Sequence, residues 1–239
     1  MAKMTLDELV AQLQKAFGDG LEAVVLYGSA AAGEHIPKRS DFNVLVIVRE
    51  IGLAELEREA AIARAWGEAG NPPPLTLTAA EWRSSSDVFP MEYGDVLERH
   101  RVLYGTPPFD GVVVSPRDLR LQLEHEAMGK LLQLRQGILA AGGEKKRLVE
   151  LLAGSLSTFM VIFRALLRYH GETPPTDYER LIAAVSARAK IDGAPFARVV
   201  RHLRGSELLP EREVAQVLAG YLAGAHALVE YLDRLEELK

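Results

Sequence analysis

The stretch LEAVVLYGSAAA, residues 21–32, crosses a polar segment, GEHIPKRS at 33–40, and resumes as DFNVLVIV, residues 41–48. Its two ends are short, unbroken apolar runs rich in β-branched residues. That pattern predicts two central strands, Leu21 to Tyr27 and Val44 to Val48, covered on both faces. Between them lies a Gly28-Ser29 turn followed by a short Ala-rich run, Ala30 to Ala32. Gly28 can adopt backbone angles closed to other residues and lets a ligand approach the main chain. Ser29 is expected to cap the Ala-rich turn, whose free N–H groups suit a phosphate. Side chains alternate along a strand, so Asp41 and Asn43 should share one side, about 7 Å apart. The local reading is thus a phosphate cradle at the end of one strand and a polar pair at the start of its neighbour.

At these residues the chain resembles the nucleotidyltransferase superfamily, which includes the small antibiotic-modifying nucleotidyltransferases and the polymerase β-like domains. The family signature is a Gly-Ser turn, about ten residues, then Asp-x-Asp or Asp-x-Glu opening a strand. Here eleven residues, Ala30 to Ser40, separate Ser29 from Asp41, and Ser40-Asp41 also fits the pattern. The second acid is replaced by Asn43. Ala31 and Ala32 stand where family members often carry arginine. The family's third acid would be sought on the strand Leu75 to Thr78, which holds none; Glu81, Asp87 and Glu92 are read as solvated or capping residues. The resemblance implies binding of a Mg-nucleoside triphosphate and transfer of a nucleoside monophosphate to a small-molecule or protein acceptor. It assigns catalysis and Mg²⁺ to Asp41 and Asn43, and nucleotide binding to Gly28, Ser29, Lys38, Arg39 and Ser40. Magnesium accepts one or two carboxylates plus phosphate oxygens, so Asp41 with the Asn43 carbonyl oxygen suffices to bind it. Asn43 lacks a charge for a second dication and cannot act as a base, whose help is worth roughly 10²–10⁴ in rate. The alternative is therefore a catalytically degenerate nucleotide- or partner-binding protein.

Around this unit the chain reads as α/β and then all-α. Thr5-Leu6-Asp7-Glu8 is a capping box opening a helix with Leu6, Leu9, Val10, Leu13 and Phe17 at helical spacing. A second helix, Leu53 to Glu68, is expected to turn Leu56, Ala60, Ile62, Ala63 and Trp66 to the sheet. Asn71 and three prolines lead to the strand Leu75 to Thr78. A short helix and an edge strand, Arg101 to Tyr104, follow. The fold class is an N-terminal nucleotidyltransferase-like α/β domain, a mixed sheet flanked by helices, at 1–112, then a helical bundle at 113–239. Ser115-Pro116-Arg117-Asp118 starts the bundle with a cap and a first-turn proline. Its first helix is expected to bury Leu121, Met128, Leu131, Leu132, Leu134, Ile138 and Leu139. The next carries Leu148, Leu152, Leu156, Phe159, Phe163 and Leu167 on one face. Two shorter helices and a long terminal one, starting at Pro210, complete an antiparallel bundle.

There are no cysteines, which excludes thiolate zinc sites and cysteine nucleophiles. A formal charge of −5 argues against bulk nucleic-acid binding. No signal-peptide core and no run of transmembrane length is read, so a cytoplasmic protein with no membrane partner is expected, with room for a homodimer. Arg164 and His170, flanking five residues near a helix end, resemble the short ribonuclease motif of HEPN helical proteins, a third reading.

Overall fold

The computed structural model describes residues 3–31 and 42–235. The chain divides into two compact units, Met1–Val114 and Ser115–Lys239. In the first, helix α1 (Leu6–Phe17) precedes strand β1 (Leu21–Tyr27), strand β2 (Asn43–Val48) and helix α2 (Leu53–Glu68). Strand β3 (Leu75–Thr78), helices α3 (Ala79–Ser84) and α4 (Pro90–Glu98), and strand β4 (His100–Gly105) follow. The Thr5/Glu8 capping box is formed: Glu8 N–H donates to the Thr5 hydroxyl, and Thr5 N–H donates to the Glu8 carboxylate at 2.8 Å.

The sheet order is β3-β2-β1-β4. β1 pairs antiparallel with both β2 and β4, while β2 and β3, joined through α2, run parallel. The sheet is therefore mixed, and β1 and β2 are its central strands. Alternation sends Val24, Leu26, Val44, Val46 and Val48 to a core shared with Leu9 and Leu13 of α1 and Ile62 and Trp66 of α2. The opposite face carries Ala23, Val25, Leu45 and Ile47 against Trp82, Tyr93 and Val96 of α3 and α4. Trp82 and Tyr93 stack there with ring centroids 4.0 Å apart. The Tyr93 hydroxyl donates to the Trp82 carbonyl at 2.6 Å, and burial pushes the phenol up to about 12.

The inward face of α2 differs from the expected one. Leu56 and Ala60 are exposed, and Glu59 is buried in their stead. The reason lies on β3, where the Thr76 hydroxyl donates to the Glu59 carboxylate at 2.8 Å, giving a buried acid a partner on the sheet edge. Desolvation raises the Glu59 carboxyl above its ordinary value near 4.5, with the Thr76 hydrogen bond opposing in part. Between the ordinary and the raised value the folded state holds more protons than the unfolded state. Stability attributable to Glu59 therefore falls as pH rises through that window. Glu59→Gln keeps an acceptor for Thr76 without the charge. The variant should be more stable than the parent at neutral pH in urea denaturation, with the advantage vanishing below the ordinary carboxyl range. Equal midpoints at neutral pH would contradict the assignment.

The second unit is helical throughout its described residues: α5 (Pro116–Ala141), α6 (Lys145–Tyr169), α7 (Tyr178–Ala189), α8 (Ala194–Arg204) and α9 (Glu211–Asp233). Ser115 caps α5 and Asp177 caps α7 through their side chains. α6 runs through the middle and packs against α5, α7, α8 and α9. Its Phe159 and Phe163 meet Phe196 edge-on, both at 5.3 Å between centroids. The expected core face of α6 is buried as read. That of α5 is so only in part: Leu131 and Leu134 are buried as read, together with Leu119, Leu123 and Ala127, whereas Leu121, Met128, Leu132 and Leu139 are exposed. The reading that no run reaches transmembrane length is also corrected. α6 is long and apolar enough to cross a membrane, but 56% of its most apolar window is buried inside the protein. A helix surrounded by four others must be apolar nearly all round, which erases the polar stripe that marks a surface helix.

Candidate functional site

The site is built at one end of the sheet, where β1 stops and β2 begins. Tyr27 and Asn43 are cross-strand partners in the antiparallel register, next to Leu26 and Val44. Since Val25 and Leu45 belong to the core under α3 and α4, alternation places Tyr27 and Asn43 on that same face. Gly28 follows Tyr27 with φ +76°, in the left-handed region that favours glycine. Its N–H donates to the Arg99 carbonyl at 3.1 Å, tying the turn to the start of β4. A Cβ at Gly28 would stand 3.3 Å from Nδ2 of Asn43. Absence of a side chain at Gly28 thus lets the turn and the Asn43 carboxamide lie close together.

The turn itself is a 3-10 segment spanning Gly28–Ala30, so Ser29 lies within it rather than before it. The expectation that Ser29 caps the turn is corrected: Tyr27 holds the cap position, in extended conformation and with no side-chain cap bond. The positive φ of Gly28 starts the reversal one residue earlier than the Ala-rich run suggested. Lys38, Arg39, Ser40 and Asp41 lie outside the described residues. Asp41 precedes Phe42, whose N–H donates to Asn71 at 3.0 Å and whose ring sits 6.1 Å from that of Trp66.

β3 explains the missing third acid. Leu75 pairs with Leu45 and Leu77 with Ile47, and Leu77 packs on the core beneath the site face. The strand therefore offers Leu75 toward the Asn43 side, while Thr76 turns away to Glu59. Glu81 caps α3, accepting from Thr78 N–H at 2.8 Å. Tyr27, which sequence reasoning left aside, joins the site face instead. Burial raises the Tyr27 phenol first, and the negative charges of Glu92 and Asp95 on α4 raise it further. Tyr27 was findable in principle, being the residue that an antiparallel hairpin would set opposite Asn43. Among the described residues no group of three His, Asp or Glu side chains is arranged to hold a metal.

What the described residues can do follows from their chemistry. A side chain at Gly28 would crowd the Asn43 carboxamide and require a strained left-handed backbone. The Asn43 carboxamide offers both a hard oxygen acceptor and N–H donors.

Arg164 is buried on α6, whereas His170, at the helix end, shares a 2.9 Å hydrogen bond with the Tyr231 hydroxyl of α9. Desolvation lowers His170, and the Arg188 guanidinium lowers it further.

No protein-family model matches the chain, and no curated protein matches it. Among solved structures the chain is similar to a spectinomycin adenyltransferase, AAD(9) from Enterococcus faecialis, determined with ATP and spectinomycin. The TM-score is 0.59 and the identity 13%, covering 96% of this chain and all of that one. A toxin–antitoxin structure with AMP-PNP matches over 43% of this chain and 75% of its own, at 18% identity and a TM-score of 0.31. The chain has a nucleotidyltransferase-like fold, with a mixed four-stranded sheet and a large helical C-terminal part.

Proposed function

We propose that this protein binds a Mg-nucleoside triphosphate at the Gly28–Asn43 end of its sheet. The observation that carries the reading is the left-handed Gly28 turn at the end of β1, set beside Asn43 at the start of β2, on a nucleotidyltransferase-like fold. The likeness to an adenyltransferase solved with ATP supports it. Gly28 and Ser29 form the phosphate-facing turn, and Lys38, Arg39 and Ser40 contribute charge and donors to the phosphates. Asp41 and the Asn43 carbonyl oxygen hold Mg²⁺. When bound, the ion neutralises the triphosphate and polarises the phosphorus undergoing attack.

Transfer of a nucleoside monophosphate to a small-molecule or protein acceptor is the fuller form of this proposal. Retention of the nucleotide without transfer is the second reading. It is favoured by Leu75 at the place where a further acid would stand and by the uncharged Asn43. Both forms share one test. In amide-resolved nuclear magnetic resonance, adding ATP with Mg²⁺ should move the Gly28, Ser29 and Asn43 signals most. Shifts confined to residues of the helical unit would remove the proposal.

A further inference from the structure

Besides the face it turns to the core, α5 carries a second apolar face. Leu121, Met128, Leu132 and Leu139 are exposed on it, Leu139 by 81%. With His125 and Arg135, also exposed, they form one line along the helix, in alternating steps of four and three residues. That alternation marks the seam along which one helix packs on another. A helix that buried only its inner face would carry polar residues on such a line.

The line is complementary to itself in one direction. Leu121 and Leu139 lie nine residues either side of Lys130, and Met128 and Leu132 lie two residues either side. Two copies of α5 laid antiparallel about a two-fold axis at Lys130 set leucine on leucine at each end and methionine on leucine in the middle. Such an axis also brings each lateral edge of the helix against the same edge of the other copy. On one edge Glu124, six residues before the axis, meets Arg135, five after it, and the pairing occurs twice. On the other edge His125 meets Gln136, with those offsets exchanged. Arg135 has no ion-pair partner among the described residues, and Glu124, held through one oxygen by Arg120 at 2.6 Å, carries a second oxygen for it. Close to the axis nothing stands within 4 Å of a would-be Gly129 Cβ, and a groove of about 430 Å³ runs there between α5 and Val229 of α9. The second copy's Leu132 comes over Gly129 in this register. A parallel pair would instead stack Arg135 on Arg135 within the apolar line.

We propose that this face of α5 is a homodimer interface, along which two copies of the chain pair antiparallel about Lys130. Each Leu121 covers the other copy's Leu139, and each Arg135 closes an ion pair with the other copy's Glu124.

Sedimentation equilibrium of the full chain should give twice the 26.2 kDa of one copy. Leu132→Glu should give the single mass with an unchanged circular dichroism spectrum, because Leu132 is exposed within one copy. Arg135→Glu, which sets two acids together on that edge, should weaken association at least about tenfold. The chain has no cysteine of its own, so engineered disulfides read the register. Leu121→Cys with Leu139→Cys in one chain should oxidise to a covalent dimer. Within a copy those positions are about 27 Å apart along the helix and cannot join. Leu121→Cys alone should remain unlinked. A parent that stays monomeric into the millimolar range gives the face another occupant and overturns the inference. Association of Leu132→Glu or Arg135→Glu as tight as the parent's overturns it too. So does a link formed by Leu121→Cys alone, or no link in the double variant, since either denies the antiparallel register.

Discussion

Gly105→Ala is expected to destabilise the α/β unit by about 2–5 kcal/mol, the sum of a left-handed backbone penalty and an overpacking penalty. Gly105 ends β4 at φ +68°, opposite Ala23, and a Cβ there would lie 1.9 Å from the Glu22 carbonyl oxygen and 2.9 Å from its carbon. Neither atom belongs to a flexible side chain that could swing aside. The strand end would have to move away from β1, and the 3.3 Å bond from Thr106 N–H to the same Glu22 oxygen would weaken with it. Against the roughly 5–15 kcal/mol of net stability usual for a domain, this is a large share. Gly111→Ala is the matched control, since Gly111 has φ +78° and nothing within 4 Å of its would-be Cβ. It should cost only the backbone part, about 1–2 kcal/mol. Urea denaturation should show a clearly lower midpoint for Gly105→Ala than for Gly111→Ala. Equal midpoints would mean that β1 and β4 do not approach as closely as described.

Local chemistry made much of this fold legible in the sequence. The capping box at Thr5 and Glu8, the proline at the start of α5, and the β-branched runs of β1 and β2 each have a cause within a few residues. Elements of that kind were readable to within a residue or two: α2 and β3 have the bounds their periodicity implies. Faces were harder. α5 is apolar on two sides, and nothing local ranks Leu119 and Leu123 above Leu121 and Leu132; the position of α6 decides. Glu59 could not be read as an inward residue, because its partner, Thr76, lies on a strand brought beside it only by the parallel crossover. The site divides in the same way. Gly28, Ser29, Asp41 and Asn43 were visible as a spaced motif. The contact between the Asn43 amide and Gly28 was not, because it depends on which residue faces Asn43 across the sheet, and register is a long-range property.

The triphosphate proposal has the second large expected effect. A ligand bound only to the folded state at a hundred times its dissociation constant stabilises that state by about 2.7 kcal/mol. For a domain of this size that corresponds to a rise of roughly ten degrees or more in the melting of the α/β unit. The stabilisation should have a part that requires Mg²⁺. Asp41→Ala should abolish that part, since it removes the carboxylate that the motif assigns to the cation. Asn43→Asp should enlarge it by adding a second charge. The contrast between the two variants matters because a nonspecific effect of nucleotide on stability would not invert between neighbouring positions. Thermal unfolding of the parent protein and of Asp41→Ala, each with saturating ATP in the presence and absence of Mg²⁺, is therefore the most direct test. The account predicts a Mg²⁺-dependent rise in the parent that is lost in Asp41→Ala; the same rise in both proteins, or none in either, would contradict it.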